Sequence, residues 1–171
     1  GRCYKDHHGR PARFLGAALD LTERKHTEQA LRQSQTELQL IINAMPVLIG
    51  YVDHEQRFLL NNSAYLDWYG MTPQELYGQS IREVLGDEIY AGRVDKIEAA
   101  LKGKACSFVT VTPHHDGRPR HALMKCRPRF SADGAVNGFY MFVIDETGRK
   151  LTEEALRHLN ENLEERVSQR T

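Results

Sequence analysis

The sequence is poor in cysteine and has no surplus charge. Cys3, Cys106 and Cys126 are an odd number with no Cys-x-x-Cys spacing, so neither a disulfide framework nor a zinc site is suggested. Reduced thiols and a cytoplasmic setting are expected. Across 171 residues, 23 Lys and Arg balance 23 Asp and Glu, which argues against a broad electrostatic grip on nucleic acid or anionic membrane. No apolar run approaches the ~20 residues of a membrane span. The longest, Pro46 to Val52, is far too short, and no basic-then-apolar signal segment opens the chain. Direct membrane contact is therefore not expected. A Gly-rich phosphate loop is missing, as are GxSxG, HExxH and paired-acid patterns. No catalytic residue is assigned, and this chain is not expected to be an enzyme.

What is present is unevenly spread. Hydrophobic residues make up 40% of the chain, yet the mean hydropathy of −0.56 is low for a compact globule. The polar excess lies in two sign-balanced stretches. Residues 21–45 carry three basic against three acidic side chains, and residues 147–171 carry five against five. Balanced charge with spaced leucines reads as solvated helices that pack on partners. Residues 46–146 hold nearly all the aromatics, with 11 basic and 13 acidic groups.

An internal repeat organises the chain. Asp20, Thr22, Arg24, Lys25, Thr27, Glu28, Ala30, Leu31 and Arg32 recur at a constant offset as Asp145, Thr147, Arg149, Lys150, Thr152, Glu153, Ala155, Leu156 and Arg157. An apolar run precedes the Asp in both copies. The unit is a strand, then Asp-x-Thr, then a charged helix; Asp or Thr at such a junction accepts N–H bonds of the first helical turn. Only twenty residues precede the first Asp-x-Thr, so residues 1–20 are expected to be the last strand or two of an upstream module. A linker helix over 21–45 should stop before Pro46. The helix over 147–171 places Leu156, Leu159 and Leu163 at coiled-coil spacing, which suggests pairing with a second copy of the chain.

Between the helices the signals run in order. Residues 48–53 and 57–61 read as a hairpin. Short helices follow at 61–70, capped by Asn61 or Asn62 and stopped by Gly70, and at 72–78, with Thr72 as cap and Pro73 first. Ser80 to Leu85 suggests one more turn. Residues 86–103 predict a longer amphipathic helix with Ile89, Val94, Ile97 and Leu101 on its stripe. Strands are expected at 105–112, 120–128 and 138–145. The tip at His114, His115 and Asp116 is read as an exposed loop whose adjacent histidines point apart, not as a metal site, and no metal is expected. Arg118, Arg120, Lys125, Arg127 and Arg129 are read as a solvated strand face or a partner contact.

This order resembles the PAS domain family, in the form found in sensor histidine kinases and diguanylate cyclases. Asn62, Ala64, Tyr65 and Gly70 are similar to the family's Asn-x-Ala-aromatic helix, and Glu75, Leu76 and Gly78 to its Glu-Leu-x-Gly segment. Asp116 and Gly117 match its Asp-Gly turn, and Asp145 and Thr147 its closing Asp-x-Thr. The resemblance covers residues 40–150, and residues 1–20 as the tail of a preceding domain. It implies an α+β fold: a five-stranded antiparallel sheet with short helices on one face, flanked by N- and C-terminal amphipathic signalling helices. The PAS domain proper would span 46–146.

By the same resemblance, the residue two before the closing Asp points inward, and alternation extends the assignment. The expected pocket is lined by Phe139, Met141 and Val143 from the last strand and by Met124 and Cys126, with Ala122, from the one before. Phe108 and Thr110, Val94 and Ile97, and Trp68 complete it. The family's cysteinyl-flavin and His-haem signatures are missing from residues 78–86 and 87–101, so the cofactor is unknown, with none or a small metabolite expected. The implied function is a sensory and dimerisation module of a multi-domain signalling protein. It would pass ligand or partner state through Asp145 and Thr147 to an output domain, a histidine kinase ahead of a diguanylate cyclase. The expected partners are a second copy and that output domain, with no nucleic acid. A ligand-free dimerisation spacer is the alternative; a small α+β enzyme is disfavoured, because the expected inward positions hold no His, Asp or Glu.

Overall fold

Pro46 divides the chain. It disfavours helical backbone at Met45, and helix α1 (Phe14–Ala44) ends there. The computed structural model describes the backbone of residues 14–168 and the side chains of residues 23–168. α1 and the body from Met45 onward are separate units. Residues 14–20, expected as strand, are the first turns of α1. A strand without a neighbour leaves its N–H and C=O groups unpaired, whereas a helix satisfies them internally; among the described residues no strand pairs with this segment. Residues 1–13, the rest of that expected tail, lie outside the described residues. Along α1 the apolar residues Leu31, Leu38 and Ile41 are exposed.

In the body, β1 (Val47–Asp53) and β2 (Phe58–Asn61) form the expected hairpin. Its turn is built by Asp53, whose Oδ1 accepts from the backbone N–H groups of Glu55 and Arg57, both at 2.9 Å. Then come α2 (Ala64–Tyr69), α3 (Pro73–Leu76) and α4 (Ile81–Leu85). α2 ends at Gly70, whose φ of 70° suits a residue without Cβ. α3 and α4 each begin with a reciprocal capping box, Thr72 with Glu75 and Ser80 with Glu83.

The single helix expected over 86–103 is two: α5 (Asp87–Ala91) and α6 (Val94–Leu101). Gly92 is a poor helix former, and Arg93 leaves helical geometry at φ −127°, ψ −8°. Its side chain turns inward, where one Nη donates to the Val111 carbonyl at 3.0 Å. Strands β3 (Cys106–Thr112), β4 (Arg120–Phe130) and β5 (Val136–Asp145) follow, the last two longer by two residues than the sequence suggests. Helix α7 (Thr147–Ser168) closes the described chain.

The strands form one sheet, ordered β2-β1-β5-β4-β3, with every neighbouring pair antiparallel. β5 is central and apolar on both faces, as strands covered twice must be. Phe139, Met141 and Val143 point into the core, while Tyr140, Phe142 and Ile144 are half-buried on the other side. The core lies between that inner face and α2 to α6, with Phe58, Tyr65, Leu76 and Ile81 fully buried. The basic residues of β4 are partly engaged: Arg129 sits 5.0 Å from the Tyr51 ring centroid, and Arg120 pairs with Asp116 at 2.7 Å.

Candidate functional site

Period-two alternation places the strand residues of the expected pocket on one face. Phe139, Met141, Val143, Ala122, Met124 and Cys126 are all buried. Register aligns Met124 with Val143 and Cys126 with Met141 across β4 and β5. Ile97 and Trp68 join the same cluster from α6 and α2, and Phe108 packs against it half-buried. Val94 and Thr110 are also only half-buried.

Trp68 has a second duty. Its indole N–H donates to the Pro113 carbonyl at 3.0 Å, and the backbone N–H of His115 donates to the Trp68 carbonyl at 2.8 Å. The connection between β3 and β4 is thereby pinned to α2. The paired histidines are not splayed apart on a free loop: their ring centroids lie 4.8 Å apart, and His114 packs edge-on against Trp68 at 5.5 Å. His115 and Asp116 are exposed, as the sequence suggested; the splay of the rings was misjudged because the tip was treated without the aromatic surface of α2, which draws His114 in.

The interior also holds polar groups. Asn62, fully buried, does not cap α2; Ser63 stands at the cap without a side-chain bond. The Asn62 side chain instead accepts from Ile49 N–H at 3.0 Å and donates to the Val47 carbonyl at 2.8 Å. It continues the ladder on β1 where β2 ends. Tyr65 points its hydroxyl over Gly50, where a Cβ would come within 2.7 Å of it. The Tyr65 ring stacks on Tyr69 at 6.0 Å, and the Tyr69 hydroxyl meets Thr112 Oγ1 at 3.3 Å.

Burial pushes the Tyr65 phenol well above its ordinary value, with Tyr69 and Cys126 adding to the effect. Burial likewise raises Tyr69, although Thr112 and the nearby Arg93 pull it back. Both phenols are therefore neutral at physiological pH. The Cys126 thiol is pushed far up, by burial first and then by Cys106, its direct partner across β3 and β4. Such a thiol is a packing group and not a nucleophile.

Arg93 is the residue that the sequence reading missed. It is 3% exposed, on a helix thought to present only apolar residues inward. Its spacing carried the signal: Ile89, Arg93, Ile97 and Leu101 recur every four residues, so the guanidinium falls on the apolar stripe. Burial lowers its pKa, and the neighbouring Tyr69 opposes that shift.

The strand-to-helix junction is tightly built. Asp145 Oδ1 accepts from Thr147 N–H at 2.8 Å, starting α7. Thr147 Oγ1 accepts from His121 N–H at 2.9 Å, and Glu146 N–H donates to the His121 carbonyl at 2.8 Å. Both backbone groups of His121, at the start of β4, thus hold the first turn of α7. Arg149 pairs with Glu146 and Glu153 along that helix. Further on, Leu156, Leu159 and Leu163 are 57%, 55% and 48% exposed.

A family model described as the PAS fold matches residues 42–151. The virulence sensor protein BvgS of Bordetella parapertussis is 32% identical over 147 residues, covering 82% of this chain and 12% of that protein. BvgS of Bordetella pertussis gives the same figures. The chain therefore spans about an eighth of the length of the curated relatives it matches. The solved PAS domain of Bordetella pertussis BvgS superposes with a TM-score of 0.55 at 27% identity, over 76% of this chain and 98% of that one. An RNA-binding light-oxygen-voltage receptor reaches a TM-score of 0.59 at 19% identity, over 77% of this chain and 38% of that one, a likeness of fold alone. With the family model spanning most of the sequence, and a sheet and helix layer arranged as that resemblance requires, the chain belongs to the PAS domain family.

Proposed function

We propose that this chain is a cytoplasmic sensory and dimerisation module of a larger signal-transduction protein, with a histidine kinase as the output domain. The observation that carries this reading is the junction. The strands whose inner face builds the core end in hydrogen bonds to the first turn of α7. A shift in β4 or β5 is thus delivered to a helix whose leucines have no apolar cover of their own. Two copies of α7 packed along Leu156, Leu159 and Leu163 would convert that shift into an altered helix pair, the bistable element that transmission requires. Similarity to a virulence sensor protein supports the sensory role.

Light scattering on the purified chain tests the pairing. A dimer is expected, weakened by Leu159→Asp with Leu163→Asp; a monomer at all concentrations removes the reading. Thr147→Val tests transmission, because it keeps side-chain size and removes the acceptor for His121 N–H. In a fusion to a kinase output, it should leave the dimer intact and flatten the response; an unchanged response sinks the junction's role. A ligand-free dimerisation spacer is the second reading, favoured by the way Met124, Met141, Val143 and Phe139 pack into one cluster. It predicts a native mass with no bound small molecule. A diguanylate cyclase output fits the same junction.

A further inference from the structure

Among the described residues, three buried side-chain polar atoms find no protein partner: Asn61 Oδ1, the Tyr65 hydroxyl and Arg93 Nη1. The arginine matters most because it is charged. A guanidinium stays protonated in proteins even when burial lowers its pKa, and a buried cation is ordinarily matched by an anion. Among the described residues no carboxylate lies within ion-pair distance of Arg93. The groups against it are neutral: Tyr69 from α2, itself bonded to Thr112, and the Val111 carbonyl from β3. Tyr90, on α5, is turned to Gln56 at 2.6 Å. The Tyr69 phenol cannot serve as the counterion, since burial keeps it protonated.

The chemistry of the missing partner follows from the donors. One positive charge calls for one negative charge. Among the described residues no Lys is buried, and a dianion such as phosphate would be under-matched by a single guanidinium whose other Nη is already committed to Val111. A carboxylate suits one free Nη and a phenol donor. The remaining wall offers Ile97, Phe108 and Met124, which favours an apolar body on the acid.

We propose that Arg93 anchors a binding site for a small organic monocarboxylate, in the interior between α2, α6 and the inner face of β3 and β4, with Tyr69 as a second donor. The proposal rests on the sensory reading above and supplies the class of ligand for it. It also supplies a route. The carbonyl that Arg93 holds belongs to Val111, and the cross-strand partner of Val111 is His121. His121 is the residue whose N–H and C=O hold Thr147 and Glu146. Arg93 is thus a short chain of backbone contacts away from α7.

The test is calorimetry and thermal denaturation of the whole chain with butyrate and benzoate, against butyramide and benzamide as uncharged isosteres and inorganic phosphate as a dianion. At least one carboxylate should bind saturably and raise Tm, with its amide and phosphate inert. Arg93→Gln should weaken that binding by about 10- to 100-fold, the loss expected for a hydrogen bond to a charged group. Without ligand it should be at least as stable as the parent, because it removes an unmatched charge. Should Arg93→Gln fail to fold, Tyr69→Phe keeps the question open to measurement and should weaken binding several-fold. Failure of both carboxylates to bind at about 10 mM, amides binding as well as acids, or full affinity in either folded variant overturns the site. Carboxylate binding without any change in hydrogen exchange along α7 would leave the site standing and count against transmission. Absent binding with an intact α7 dimer would remove the site and leave the module.

Discussion

Asn62 shows how one side chain can stand in for a missing strand residue. β2 ends at Asn61, yet β1 continues, and the Asn62 amide supplies the acceptor for Ile49 N–H and the donor to Val47 C=O. The first bond is buried and the second partly so, so removing the amide strands two backbone groups. Asn62→Ala should destabilise the fold by about 2–4 kcal/mol, read as a lower urea midpoint with an unchanged m-value. An effect within experimental error would mean that β1 holds its edge without this residue. The sequence suggested a helix cap here, since Asn before an apolar helical run is a common cap. The competing use was invisible because it depends on where a strand thirteen residues upstream comes to lie.

At the scale of elements, α3 and α4 are too short to persist alone, and their capping boxes do much of the holding. Hydrogen bonding from Thr72, backbone first and then side chain, keeps Glu75 below its ordinary value of 4.5, and Ser80 does the same for Glu83 with a smaller contribution from Arg57. A depressed folded pKa gives stability that is fully present above the unfolded value and is lost as pH falls through the folded one. Glu75→Gln and Glu83→Gln should therefore lower the denaturation midpoint at pH 7. The gap to the parent should close as pH drops below about 4.5; a gap of equal size at pH about 3 would assign the loss to packing. Elements of this kind were readable from local chemistry: Thr72 with Pro73, Ser80 ahead of Glu83, Gly70 after Tyr69. The five strands and their inner face were readable too, because alternation in β4 and β5 has a period that no helix shares. The break at Gly92 and Arg93 was not. The spacing puts Arg93 on the apolar stripe, but binary patterning ranks a charged residue as outward, and the contacts with Tyr69 and Val111 that hold this one in are tertiary.

At the scale of the molecule, the junction of β4 and β5 with α7 fixes a starting angle. Thr147 is held by His121 and Asp145, so the direction in which Leu156, Leu159 and Leu163 face is counted off from there. An α-helix turns by about 100° per residue, and seven residues return it to within about 20° of the same bearing. Inserting seven residues after Thr152 should thus preserve both the proposed dimer and the output of a kinase fusion, whereas a single inserted residue should turn the leucines away and scramble output. Equal output from both insertions would mean that α7 acts as a flexible tether. If the counting holds, what leaves this module is a bearing and not a displacement. The distance to the receiving domain is then free to vary, but only in whole heptads, so spacing along the helix becomes quantised by the same hydrogen bond that starts it.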